Sequence, residues 1–248
     1  MPDRISGVQN EPSTTTKLRN IRRGHADLEG RRVWGFQNTL ISSYETSFKN
    51  LLNGKSVSDL IEGKTKPTVI DLMAPPYTIH SLLTSMTDSN GRGLAVTLKD
   101  HSLSDLPDDV RETYFSSRVT TQFGDITDSE TWVDIVKWLD NKKADLVMER
   151  AVDGLSMLPM SNRYFGILIA KVWSILDSDG GIFLFETPRH DLLKKQGIDL
   201  DAWVQILNKS GVDVVYDPGN LESESTLLRT GKIMLKKTSE SPSVLPSL

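Results

Sequence analysis

The feature that most constrains this chain is a change of rhythm at Pro67. Beyond it, short apolar runs alternate with amphipathic segments of helical period: TVIDLM, then YTIHSLLTSM; GLAVTL, then a segment around DVRETYF; RVTTQF, then SETWVDIVKWLD. The series continues with ADLVME, then YFGILIAKVWSIL, and GGIFLFE, then LDAWVQILNKS. Runs that stay apolar at successive positions belong to strands covered on both faces, and strands joined through helices run parallel. The last two runs, VDVVY and LLRTGKIMLKK, have no helix between them, which predicts an antiparallel hairpin at one edge. The expected fold is α/β: a mostly parallel seven-stranded sheet with that edge hairpin and helices on both faces. No internal repeat interrupts the pattern.

Around this core, residues 1–16 and 238–248 are polar and aperiodic and are expected to be mobile tails. Residues 17–66 hold a basic segment followed by N-terminal helices. Over 34–60, Phe36, Leu40, Ile41, Tyr44, Phe48, Leu51 and Leu52 recur at three- and four-residue steps and share one helix face. Residues 67–237 make up the α/β domain.

Composition narrows the chemistry. The 248 residues are 38% hydrophobic and 25% charged, ordinary for a globular chain, and include no cysteine. That excludes disulfides, a thiol nucleophile and thiolate metal sites. No other ligand spacing points to a metal. The net charge of -4 is uneven: residues 1–34 hold seven Lys/Arg against four Asp/Glu, or +3, leaving -7 for the remainder. Nucleic acid is thereby disfavoured for the bulk of the domain and left open for one edge. There Lys17, Arg19, Arg22, Arg23, Arg31 and Arg32 are candidate contacts to RNA phosphates, with Trp34 and Phe36 available to stack bases. The competing reading is a solvated face flanking the helix. No apolar run in the first 30 residues could serve as a signal core, and none of about 18 could span a bilayer, so a cytoplasmic location is expected.

In open α/β sheets ligands bind beyond the carboxyl ends of the strands, where strand order reverses. This singles out the loops after Leu72, Leu98, Phe123, Met148 and Phe185. The first reads Asp71-Leu72-Met73-Ala74-Pro75-Pro76-Tyr77. It contains no glycine, so the G-x-G-x-x-G fingerprint of dinucleotide enzymes is missing.

The same loop resembles motif I of the class I S-adenosylmethionine-dependent methyltransferases, nearest to the D-L-G-A-x-P-G of the FtsJ-like RNA ribose methyltransferases. It keeps the acid, the leucine, the alanine and a proline at Pro76, and replaces both glycines, with Met73 and Tyr77. Gly124-Asp125-Ile126-Thr127 resembles that family's G-D-I-T element, whose aspartate reads the adenine amino group. Asp145-Leu146-Val147-Met148 and Gly180-Gly181-Ile182-Phe183-Leu184-Phe185 resemble its fourth strand and the start of its fifth. The resemblance implies a Rossmann-like methyltransferase sandwich with S-adenosylmethionine (SAM) as cofactor. It also implies a cofactor-binding set of Asp71, Leu72, Met73, Ala74, Pro75, Thr97, Leu98, Asp100, Asp125 and Ile126. Asp71 has a competing reading as an N-cap, and Asp100 as a solvated turn residue.

The family's catalytic Lys-Asp-Lys-Glu set is not kept. By register its aspartate falls on Arg150, its second lysine on Glu186, its glutamate close to Lys232 and its first lysine near Gln37, an approximate inversion of charge. Arginine stays protonated and cannot act as a base, so ribose methylation by the family's mechanism is unsupported. Arg150 and Glu186, at the ends of neighbouring strands, are expected to pair. The candidate catalytic residues are Glu149, Arg150, Asp153 and Glu186; His80 reads as a packed or capping residue and His190 as a loop residue. Ala74-Pro75-Pro76-Tyr77 also resembles the N/D-P-P-Y motif of amino methyltransferases, but Ala74 has no side-chain carbonyl to accept an amino proton. Two functions remain open: SAM-dependent methyl transfer to RNA or a small molecule, and a catalytically inactive methyltransferase-like binding or scaffold protein.

Overall fold

The computed structural model describes residues 41–72, 74, 76–86, 90–97, 117–126, 128–150, 162–195, 197–219 and 230–247. The basic segment 17–32, the helix expected around 108–115, and Met73, Pro75, Leu98, Asp100 and Asp153 lie outside them.

Seven strands form one sheet: β1 (Thr68–Leu72), β2 (Arg92–Thr97), β3 (Val119–Phe123), β4 (Leu146–Glu149), β5 (Ile182–Arg189), β6 (Asp213–Asp217) and β7 (Thr230–Lys236). Their order is β3-β2-β1-β4-β5-β7-β6. β1 to β5 are mutually parallel, and β7 runs antiparallel to both β5 and β6. The expected hairpin is present, with its second strand inserted next to β5 so that β6 forms the edge. The register of β5 on β7 slips between Glu186 and Arg189, a stretch that contains Pro188, which has no N–H to give the ladder.

The helices are α1 (Ile41–Ser47), α2 (Lys49–Leu52), α3 (Pro76–Ser85), α4 (Ser129–Leu139), α5 (Asn162–Ile175), α6 (His190–Lys195) and α7 (Leu200–Lys209). Because side chains alternate along a strand, β1, β2, β4, β5 and β7 each feed two cores. Ile70, Leu72, Val96, Val147, Phe183, Phe185, Ile233 and Leu235 pack with residues of α4, α5 and α7. Val69, Ala95, Leu146, Met148, Ile182 and Leu184 pack with Tyr44, Phe48, Leu51, Leu52, Ile79, Leu82 and Leu83. Each fully buried large apolar side chain contributes roughly 1.5–3 kcal/mol, and this two-sided demand is why the strand runs are apolar throughout.

Two expectations change. The helical run predicted over 34–60 stops at Leu52, because Asn53 (φ 49°) and Gly54 (φ 84°) turn left-handed; only the 3₁₀ turn Ser58–Ile61 follows before β1. Residues 238–247, read as a mobile tail, lie against the helices instead. The Trp173 indole donates to the Pro242 carbonyl at 2.9 Å, the Trp203 indole to that of Pro246 at 3.0 Å, and Leu245 is buried in the core. Among the described residues no helix is long and apolar enough to cross a membrane.

Candidate functional site

The site is built on the strand register. Asp71 follows Val69 by two residues, so it faces the α1–α2 side at the carboxyl end of β1. Its register partner on β4 is Met148, and Arg150 lies two residues further on. Glu186 continues the face of Ile182 and Leu184 on β5 and pairs in register with Lys232 on β7, which pairs with Asp217 on β6. One row at the carboxyl edge therefore reads Asp71, Arg150, Glu186, Lys232, Asp217, with acidic and basic residues in alternation. The sequence-predicted pairing of Arg150 with Glu186 is present: Nε stands 3.9 Å from Glu186 Oε1, the side chains being 10% and 5% exposed.

The helical run of α1 and α2 lies along this row and contacts it at three-residue intervals. The Tyr44 hydroxyl reaches both Asp71 carboxylate oxygens, at 2.9 and 2.8 Å. Arg150 Nε donates to Ser47 Oγ at 2.7 Å, and its guanidinium lies 5.7 Å from the Tyr44 ring centre. Asn50 Nδ2 donates to Asp217 Oδ2 at 2.7 Å. The same run supplies Tyr44, Phe48, Leu51 and Leu52 to the core, so the apolar spacing that makes it a helix also aims its polar groups at the strand ends.

Burial dominates the electrostatics. Asp71 is fully inaccessible, and desolvation pushes its carboxyl up to about 8, against the Tyr44 hydrogen bond and the Arg150 charge, which both lower it. Tyr44 is raised well above the ordinary phenol value by burial first and by the neighbouring Asp71 second. Glu149, also buried, adds to that effect from the end of β4.

The ends of β2 and β3 form the other half of the edge. Gly124 N donates to the Thr97 carbonyl at 2.9 Å, tying the two strands where the loops begin. A Cβ on Gly124 would sit 2.6 Å from Thr131 Oγ1, so glycine is required there by close approach of α4. Asp125 is fully buried, and its carbonyl accepts from Asp128 N, the residue whose side chain caps α4. The Ile126 side chain lies in the core beneath α4, and its carbonyl accepts from the Trp132 indole at 2.8 Å.

Of the sequence-predicted set, Asp71, Arg150 and Glu186 share one face on the β1–β4–β5 side, Glu149 at the end of β4 continues the opposite face with Val147, and Thr97, Asp125 and Ile126 lie on the β2–β3 side. Leu72 packs on the opposite face from Asp71, in the core with Ile70. Ala74 is buried. Met73, Pro75, Leu98, Asp100 and Asp153 lie outside the described residues. The Tyr77 ring, which the N/D-P-P-Y resemblance would use for stacking, is buried in α3. Sequence reasoning missed Tyr44, Ser47 and Asn50 as site residues. The available signal was a hydroxyl-bearing aromatic on an otherwise apolar helix face.

These residues suit SAM by chemistry. The ammonium, adenine amino group and ribose hydroxyls of that molecule can donate, and the edge holds matching acceptors, buried in this structure, in the Asp71 and Asp125 carboxyl groups and the Thr97 hydroxyl.

No protein-family model matches the chain, and no curated protein matches it. Solved structures do. The O-methyltransferase from Bacillus cereus, solved in complex with S-adenosylhomocysteine (SAH), aligns at a TM-score of 0.50 and 11% identity, covering 92% of this chain and 93% of that one. The N-methyltransferase NodS from Bradyrhizobium japonicum aligns at 0.48 and 13%, covering 79% and 97%. The fold is that of the Rossmann-like methyltransferases: a mostly parallel seven-stranded sheet with one antiparallel edge pair and helices around it.

Proposed function

We propose that this chain is a SAM-dependent methyltransferase acting on RNA or a small molecule. The observation that carries the reading is the reversal of strand order between β1 and β4, with buried Asp71 at that point and buried Asp125 two strands away. When bound, SAM supplies an electrophilic methyl group on a sulfonium. Asp71 would hold the ammonium of the cofactor and Asp125 its adenine amino group, with Thr97 and the backbone of Leu72 and Ala74 shaping the floor. Met73, Pro75, Leu98 and Asp100 belong to the proposed cofactor loops by sequence.

On the acceptor side, Glu149, Glu186 and Asp153 are the proposed acid–base groups, and Arg150 positions Glu186 through their ion pair. Arg150 itself takes no proton, so the chemistry rests on alignment and exclusion of water, with a carboxylate accepting the proton that an amine or hydroxyl acceptor releases. The basic residues Lys17, Arg19, Arg22, Arg23, Arg31 and Arg32 are the proposed contacts if the acceptor is RNA, and the protein would act in the cytoplasm.

One observation favours a second reading, a methyltransferase-like binding protein without catalysis. The row Asp71, Arg150 and Glu186 is held by Tyr44, Ser47 and mutual pairing, as in a structural network. Calorimetric titration with SAH separates the two. Binding that Asp125→Ala weakens clearly supports the enzyme; no binding at millimolar ligand would overturn it in favour of the second reading.

A further inference from the structure

We propose that residues 41–52 are a latch on the cofactor edge: the Tyr44 hydroxyl occupies the Asp71 carboxylate, and this bond must open before a ligand ammonium can take its place. The inference rests on the cofactor reading above and adds a gate to it.

Three contacts carry it. Tyr44 spans both oxygens of Asp71, Ser47 accepts from Arg150, and Asn50 donates to Asp217, so a single helical run is pinned to strand ends from β1 to β6. The first contact lies at the strand-order reversal, where a ligand of this fold enters. The last is a solvent-exposed bond at the edge strand β6. Asp71 is fully buried and bonded through both carboxyl oxygens to Tyr44, so its carboxyl is closed to a ligand in this structure. Admission of a ligand requires some element to move, and α1–α2 is the element whose polar side chains hold the carboxylate the ligand needs. The groups facing Asp71 are Tyr44 from α1 and Arg150 from the end of β4, with Glu149 acting on Tyr44. A cation replacing the phenol favours the ionised carboxyl, so ligand binding releases a proton.

The test is calorimetry with SAH on the full chain, its Tyr44→Phe variant and its Asn50→Ala variant. It is run in two buffers of different ionisation enthalpy and joined with hydrogen exchange of residues 41–52. Losing one latch hydrogen bond raises the open fraction, and so tightens apparent binding, by up to about tenfold. Tyr44→Phe and Asn50→Ala are both expected to bind more tightly. The second leaves Asp71 and its partners intact and so guards against misfolding of the first. Proton release is expected in the parent chain, and the amides of 41–52 are expected to exchange by local opening, ahead of the sheet. Binding by the parent with unchanged or weaker affinity in both variants overturns the latch and leaves the cofactor reading standing. Exchange of 41–52 only through global unfolding overturns the latch equally. Absence of binding in all three proteins overturns the cofactor reading, and the latch with it.

Discussion

Asp71→Asn exchanges a buried carboxyl for an amide of the same shape and turns the electrostatics of the site into a stability measurement. Folded Asp71 titrates at about 8 because burial outweighs Tyr44 and Arg150. In the unfolded chain an aspartate titrates near 3.9. Between those values the folded protein holds one proton more than the unfolded chain, so stability falls as pH rises through the window. The contribution is fully present below about pH 4 and lost above about pH 8. Four units at about 1.36 kcal/mol each set an upper bound of roughly 5–6 kcal/mol. Relaxation around buried charges brings the effect toward roughly 2–4 kcal/mol. The assay is urea denaturation followed by tryptophan fluorescence, at intervals from pH 5 to 8.5, on parent and variant. Other titrating groups act on both proteins, so the difference isolates Asp71. The variant should gain on the parent steadily with pH and be the more stable protein at pH 8. Parallel stability profiles across the window would refute the assignment of a raised pKa to this carboxyl.

Removing one partner of the buried Arg150–Glu186 pair, as in Arg150→Met, should cost about 3–5 kcal/mol in urea denaturation, with part recovered in Arg150→Met/Glu186→Leu. Equal stability of the single and double variants would show that the two charges do not depend on each other. Gly124→Ala should destabilise by about 1–3 kcal/mol through collision with Thr131, and Thr131→Ala in the same chain should relieve it, read as recovery of Tm. Leu245→Ala should cost about 2 kcal/mol and speed proteolysis after residue 238, since Leu245 and the two tryptophan–carbonyl bonds hold that segment. Proteolysis at the parent's rate would contradict that anchoring.

The strands and most of the helices were legible because their signals are local. Continuous apolar runs such as TVIDLM and GGIFLFE mark two-sided burial wherever they occur, and the SETWVDIVKWLD period marks a helix. The places of Asp71, Glu149 and Glu186 were legible because all three are positions on strands. The C-terminal segment was misread because its anchors, Trp173 and Trp203, are about 40–70 residues away in sequence, and a proline carbonyl carries no signal of the indole that will reach it.

The sequence alone determined an α/β sheet with an antiparallel end, an acid closing the first strand, and the opposite charges of Arg150 and Glu186 at adjacent strand ends. Periodicity and strand endings are properties of short windows, and they survive any arrangement of the elements. Only the tertiary structure decided that Tyr44, Ser47 and Asn50 meet Asp71, Arg150 and Asp217, and that a row of alternating acidic and basic residues crosses five strands under one helical run. Register between strands far apart in sequence, and the depth to which a carboxyl is buried, are set by how whole elements pack. That packing turns an ordinary aspartate into one that holds its proton to about pH 8.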